Sequence, residues 1–353
     1  MSLLFSPLTL RGTTIPNRVW VSPMCQYSSA EGRPTDWHLV HLGALAQGGA
    51  GLVLTEATAV VPEGRISPED AGIWNDEQGA DYERIAAFIR GQGAVPGVQL
   101  AHAGRKASTR APWRGRGYVP QAEGGWESVG PSPLGYADWP APRELSATEL
   151  TALPGLWAVA ARRALEAGFQ VAEIHGAHGY LLHQFLSPLS NRRTDAWGGD
   201  LAGRSKLLLD VVDAVRDVWP EDRPLFVRLS ATDWVPGGLE VDDIAQVASM
   251  LATHGVDLVD VSSGGLSPDQ EIALEPGYQV PFATRVKDSS GLPVGAVGLI
   301  TEPRQAEKIL ADGQADAVFL ARELLRNPHW PQLAAAELGG EVHWPDQYLR
   351  ARP

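Results

Sequence analysis

The chain has 353 residues, 44% hydrophobic and 20% charged, with 42 acidic side chains against 29 basic ones and a formal net charge of -13. That balance argues against a nucleic-acid partner, because holding phosphate backbones requires clustered Lys and Arg that displace counterions. Cys25 is the one cysteine, which excludes an intrachain disulfide; no basic leader precedes an apolar segment and no run approaches the ~20 apolar residues of a membrane helix, so a soluble cytoplasmic protein is expected.

Taken in order, residues 3–18 carry Pro7, Gly12 and Pro16 among apolar residues and predict a short hairpin that could plug one end of a barrel. Residues 19–22 predict a first strand, followed by a helix over 37–47 with Asp36 as its cap. A second strand over 51–55 precedes a helix over 78–90, whose Tyr82, Ile85, Ala86 and Ile89 form an apolar face. The third strand covers 95–100, but its helix is delayed to 146–167 by an insertion over about 107–145 rich in Gly, Pro and Trp. Trp113, Trp126 and Trp139 favour an ordered lid there, since aromatic residues are unusual in solvated linkers. The fourth strand lies in QVAEIHGAHGY, residues 170–180, and a long connection leads to a helix over 202–218. Strands over 225–229, 258–262, 294–297 and 317–320 alternate with helices over 241–253, 281–288, 303–311 and 324–338. A tail over about 340–353 follows.

Eight short apolar strands, each followed by a helix, fit one closed parallel (β/α)₈ barrel over 1–353 better than an open doubly wound sheet. In such a barrel the loops after the strands build the site, and polar residues gather there in this sequence. Ser22 and Cys25 follow the first strand, Glu56 the second, and Gln99 and His102 end the third. His175 and His178 end the fourth, Arg228 the fifth, Ser262 and Ser263 the sixth, and Arg322 follows the eighth. Two histidines three residues apart invite a metal reading, for which Cys25, Glu56 and Glu173 are the available further ligands. Gly298 and the Ala321-Arg322 pair sit after strands seven and eight, where barrels often bind phosphate; with Gln99 and Arg228 they suggest a large phosphorylated cofactor across the mouth. No G-x-G-x-x-G follows the first strand, so a dinucleotide fold is not indicated.

The motifs SPMCQYSS at 22–29, QLAHAGRK at 99–106, EIHGAHGYLLHQFLSPLSNRRTD at 173–195, FVRLS at 226–230 and ARELLRNP at 321–328 resemble the old yellow enzyme family over nearly the whole chain. Cys25, the His175/His178 pair and a short tail ending near Arg350 are similar to its bacterial YqjM-like branch. The resemblance implies a barrel with non-covalent FMN, no metal, and NADPH as reductant. It implies that Ser22, Pro23, Met24 and Cys25 line the isoalloxazine ring, that Ala57 touches its edge, and that Gln99 bonds its pyrimidine side. Arg228 would lie near N1, and Gly298, Ala321 and Arg322 would hold the phosphate. The family often has glycine where this chain has Ala321; the backbone N–H is retained.

The implied reaction is ping-pong: hydride passes from NADPH to FMN and then to the β carbon of an activated alkene such as an enone, enal, maleimide or nitroalkene. His175 and His178 would bind the substrate oxygen, Tyr180 would protonate the α carbon, and Tyr27 would touch substrate. Cys25 would adjust the flavin's potential, and Lys106 could help place the nicotinamide. Arg350 would reach the neighbouring site of a homodimer or homotetramer. Other readings are a different flavin barrel such as a tRNA dihydrouridine synthase, a metal-dependent barrel hydrolase, and a non-catalytic binding barrel.

Overall fold

A computed structural model describes residues 2–115 and 117–353. Eight strands pair in parallel around a closed ring: β1 (Val19–Val21), β2 (Leu52–Ala59), β3 (Val95–Ala101), β4 (Val171–Gly176), β5 (Leu225–Ser230), β6 (Leu258–Ser262), β7 (Val294–Ala296) and β8 (Ala317–Leu320). Each strand pairs with its successor, and β8 closes on β1 through Phe319 opposite Trp20. The helices are α1 (Asp36–Gln47), α2 (Asp76–Gly91), α3 (Ala147–Glu166), α4 (Leu181–Leu186), α5 (Leu201–Arg216), α6 (Val241–Thr253), α7 (Val280–Ser290), α8 (Pro303–Ala311), α9 (Arg322–Arg326) and α10 (Trp330–Leu338). This is the (β/α)₈ barrel that the alternation of short apolar strands and amphipathic helices predicts.

Side chains alternate across each strand, and in a barrel both faces are buried. One set, including Val19, Val21, Val53, Val98, Ala172, Ile174, Val227, Val259 and Val318, packs outward against the helices. The other set fills the interior in tiers. Trp20, Leu52, Leu54, Val171, Phe226, Leu258 and Phe319 form an apolar floor, with Trp20 stacked on Phe226 at 5.7 Å and edge-on to Phe319 at 5.3 Å. The antiparallel hairpin Leu8–Leu10 with Thr13–Ile15 closes that end, because Leu10 and Ile15 belong to the same cluster. Two residues further along the inner faces stand Gln99, Glu173, Arg228 and Asp260, all buried. Beyond them lie His175, Ser230 and Ser262 at the open mouth.

The structure corrects two features of the expected layout. The last predicted helix is divided into α9 and α10, since Pro328 has no N–H to donate and disfavours helical backbone at Asn327, which adopts φ -140° and ψ 89°. The second strand runs on to Ala59 with a bulge between Leu54 and Ala57. A bulge adds one residue and inverts the alternation beyond it. Glu56, expected at the mouth, therefore faces outward, where its carboxylate accepts the Gln26 N–H at 2.8 Å and meets His38 Nε2 at 2.8 Å. Ala57 takes the inward place instead.

The insertion after β3 is ordered as short 3₁₀ turns at Pro112–Arg114 and Gln121–Glu123 and a two-residue parallel ribbon, Val129–Gly130 with Arg143–Glu144. Arg105 fastens it: its guanidinium donates to the carbonyls of Leu134, Gly135 and Leu266 at 2.8 to 3.2 Å. No helix among the described residues is long and apolar enough to cross a membrane.

Candidate active site

β4 leaves the barrel at Gly176, and the chain turns sharply before α4. His178 and Gly179 occupy the left-handed region at φ +58° and +72°. Such backbone is uncommon outside glycine and must be held by its surroundings. Here Ser230 Oγ accepts the His178 N–H at 2.9 Å, and Lys106 Nζ donates to the His178 and Gly265 carbonyls, each at 2.8 Å. A Cβ on Gly179 would stand 2.2 Å from the Gly265 carbonyl oxygen, so glycine is obligatory there.

The turn brings His175, His178 and Tyr180 together. The His175 ring lies edge-on to His178 at 5.2 Å and to Tyr180 at 5.1 Å. Burial, reinforced by the Arg228 cation, pushes both imidazoles well below their usual pKa, so they are neutral. Their hydrogen bonds assign the protons. His175 Nδ1 accepts the Ala177 N–H at 3.3 Å, which leaves the proton on Nε2, free to donate. His178 Nε2 lies 2.8 Å from Ser262 Oγ, whose other acceptor, Gln279 Oε1, is at 3.4 Å and already receives Ser263 Oγ at 2.6 Å. In the tautomer in which Ser262 Oγ donates along this shorter contact to His178 Nε2, the ring proton is on Nδ1 and forms a second donor. Among the described residues no group of three His, Cys, Asp or Glu could hold a metal ion.

The far wall is built from the loop after β1. Cys25 and Tyr180 pack on a small apolar cluster that includes Ala57, with Trp126 of the lid beside them. Burial, with Asp70 and Glu56 nearby, raises the Cys25 thiol, which stays protonated. Burial likewise raises the Tyr180 and Tyr27 hydroxyls, so both remain O–H donors at neutral pH. Tyr27 lies edge-on to Trp113 of the lid at 5.6 Å. Lys106 is enclosed between the Tyr136 and Tyr180 rings at 4.8 and 5.0 Å; burial and Arg105 push it down to about 7.

Below the mouth, Gln99 Nε2 donates to Glu173 Oε1 at 2.8 Å, and Arg228 Nε lies 3.0 Å from Asp260 Oδ2 without alignment for a hydrogen bond. Burial raises Glu173 to about 8, with Asp260 adding repulsion, and raises Asp260 to about 6. At the side, Ser262, Tyr278, Gly298, Ala321 and Arg322 line a cavity of about 240 Å³. Gly298 has φ +113°, and a Cβ there would stand 2.5 Å from Gln279 Nε2, so its bare backbone is what the site offers. Thus Cys25 and Ala57, Gln99 and Arg228, and Gly298, Ala321 and Arg322 lie on the wall, floor and side of one mouth. Arg350 does not: it is exposed on the terminal turn Asp346–Ala351, whose Tyr348 packs near His329. His102, also expected at the mouth, is buried with its Nδ1 accepting the Gly104 N–H at 3.0 Å.

A family model described as NADH:flavin oxidoreductase / NADH oxidase matches residues 3–341. The chain belongs to that family. It is 47% identical over 352 residues to an NADPH dehydrogenase of Geobacillus sp. (strain WCH70), covering 99% of this chain and 98% of that one. It is 45% identical over 351 residues to an NADPH dehydrogenase of Bacillus cytotoxicus, covering 99% and 96%. Among solved structures it is similar to morphinone reductase in complex with tetrahydroNAD, at 27% identity and TM-score 0.79, covering 97% of this chain and 92% of that one. An old yellow enzyme homologue from Zymomonas mobilis shares the fold, with TM-score 0.79, 24% identity and 99% coverage of each chain. This flavin oxidoreductase therefore has FMN as its cofactor. The mouth fits it: Arg228 is a buried cation whose Nε has no hydrogen-bond partner among the described residues, and Gly298 with Arg322 forms a cradle suited to an anion.

Residues that carry the site but escaped the sequence reading are Asp260, Ser230 and Gln279. The signal for Asp260 was present. It stands two residues before Ser262 on one strand, hence on the same inner face.

Proposed function

We propose that this FMN-dependent NADPH dehydrogenase of the old yellow enzyme type reduces activated alkenes in a ping-pong cycle, NADPH and alkene using one site in turn. The observation that supports it most is the pairing of two neutral histidines, each with one ring N–H free to donate, beside a protonated tyrosine. Bound FMN supplies hydride, taken from NADPH, to the alkene's β carbon. His175 Nε2–H and His178 Nδ1–H hold the carbonyl or nitro oxygen, and their bonds strengthen as negative charge gathers there, which lowers the barrel's transition-state cost rather than only binding substrate. Tyr180 O–H gives its proton to the α carbon, a general-acid task for a hydroxyl that burial keeps un-ionised. Tyr27 contacts substrate from the lid side, and Trp126 and Tyr136 exclude water.

Ser22, Pro23, Met24, Cys25 and Ala57 line the ring of the cofactor, Gln99 and Arg228 meet its polar edge, and Gly298, Ala321 and Arg322 hold its phosphate. A protonated Cys25 tunes potential and is no nucleophile. Arg350, free on the surface turn, enters the site of a neighbouring copy in a homodimer or homotetramer. A lone thiol suits a reducing cytoplasm. The test is Tyr180→Phe: alkene-driven reoxidation should slow at least tenfold while FMN reduction by NADPH changes less than twofold. Equal slowing of both would contradict the acid assignment.

A further inference from the structure

The turn carrying His178 and Tyr180 is held from below by residues that touch neither substrate nor cofactor. Gly179, between them, has both sides of its backbone engaged by α4, which folds back onto the turn. His183 Nδ1 accepts the Gly179 N–H at 2.8 Å, and Gln184 Nε2 donates to the Gly179 carbonyl at 2.8 Å. His183 Nε2 meets Asp233 Oδ1 at 2.8 Å, in the loop after β5. Asp233 Oδ2 accepts Ser187 Oγ at 2.6 Å and the Leu239 N–H at 2.8 Å. His183, Gln184, Ser187 and Asp233 are all fully buried.

Every proton in this chain of bonds is assigned by elimination. A peptide N–H can only donate, so His183 Nδ1 must accept and its proton sits on Nε2, aimed at a carboxylate that can only accept. Burial opposes ionisation of Asp233, but His183, Ser187 and the Leu239 N–H outweigh it and hold the carboxyl below its usual range. With the tautomer fixed, the imidazole is a rigid strut from the β5 loop to the one glycine whose backbone sets the spacing of His178 and Tyr180.

We infer that Asp233 and His183 form a positioning pair which fixes the His178–Tyr180 turn for the alkene half-reaction. The inference rests on the function proposed above. Asp233→Asn keeps the size but can present an amide N–H to His183 Nε2, which would move the ring proton to Nδ1 and set it against the Gly179 N–H. Ser187→Ala is the control: it removes a hydrogen bond from the same carboxylate and leaves the tautomer alone.

The experiment uses the FMN-loaded enzyme in anaerobic stopped flow, measuring reduction by NADPH and reoxidation by saturating cyclohexenone separately, with thermal stability in parallel. Asp233→Asn should lower the limiting reoxidation rate at least tenfold, leaving FMN content and the NADPH rate within twofold. Ser187→Ala should lower the melting temperature and keep reoxidation within threefold. If Asp233→Asn does not fold, His183→Asn, which can still offer an acceptor to Gly179, should retain at least tenfold more reoxidation rate than His183→Leu. The inference is overturned if Asp233→Asn slows both half-reactions alike, leaves reoxidation within twofold, or matches Ser187→Ala, or if the two His183 variants are equal. If the unaltered enzyme, reduced by NADPH, is reoxidised by no activated alkene, the proposed function fails instead, which distinguishes the two.

Discussion

Arg228 lies 3.0 Å from the buried Asp260 carboxyl and acts electrostatically on buried Glu173, and replacing it with methionine isolates what it does. With Arg228 present, burial already raises Glu173 from 4.5 to about 8 and Asp260 from 3.8 to about 6. Both folded-state values lie above the unfolded ones, so the native state binds protons more tightly, and stability falls as pH rises between roughly 4 and 8. Arg228→Met removes the attraction that lowers both values, which deepens the fall and extends it upward in pH. Removing one partner of a buried pair costs about 3–5 kcal/mol when the other stays charged. At roughly 2 °C per kcal/mol for a chain of this size, the melting temperature should drop roughly 6–10 °C at pH 8.5. At pH 5 both carboxyls take up protons and the drop should shrink to less than about a third of that. The assay is thermal denaturation of FMN-free protein at the two pH values, which keeps the cofactor's own contacts out of the comparison. An equal drop at both, or none at pH 8.5, would refute the reasoning. The double variant Arg228→Met with Glu173→Gln should recover part of the loss at pH 8.5.

Replacing both His175 and His178 with alanine removes two neutral hydrogen bonds of about 0.5–1.5 kcal/mol each, so phenol, followed by its perturbation of the flavin spectrum, should bind roughly 5- to 160-fold more weakly. Unchanged binding would sink the oxygen-anchoring role. Gly179→Ala sets a Cβ 2.2 Å from the Gly265 carbonyl and forces φ +72° on a non-glycine residue; a denaturant titration should show at least ~2 kcal/mol of destabilisation, and a neutral result would mean the turn can yield.

How much of this was legible in the sequence differs from element to element. The strands were legible because each is a short β-branched or apolar run bounded by Gly, Pro or polar residues, and the helices because their apolar faces recur at helical spacing. The break at Pro328 was not read, because the apolar spacing bridges it, although proline chemistry outranks periodicity there. The bulge in β2 was not legible, since LVLTEATA contains neither Gly nor Pro to mark it, and only pairing with β3 reveals which way Glu56 turns. The clustering of Cys25, Gln99, His175, Arg228 and Arg322 followed from counting strand ends, whereas their roles came from resemblance to a family. Asp233 and His183 were illegible because their link runs from helix α4 to the loop after β5, 50 residues apart, and no local pattern encodes such a contact.

In the proposed cycle one mouth takes hydride from NADPH and delivers it to an activated alkene. The direct measurement is anaerobic: bleach the flavin band of the holoenzyme with one equivalent of NADPH, then add one equivalent of cyclohexenone. Full return of the oxidised spectrum, with one equivalent of cyclohexanone formed, is expected. A band that stays bleached with cyclohexenone and with maleimide, yet returns when oxygen is admitted, would contradict it.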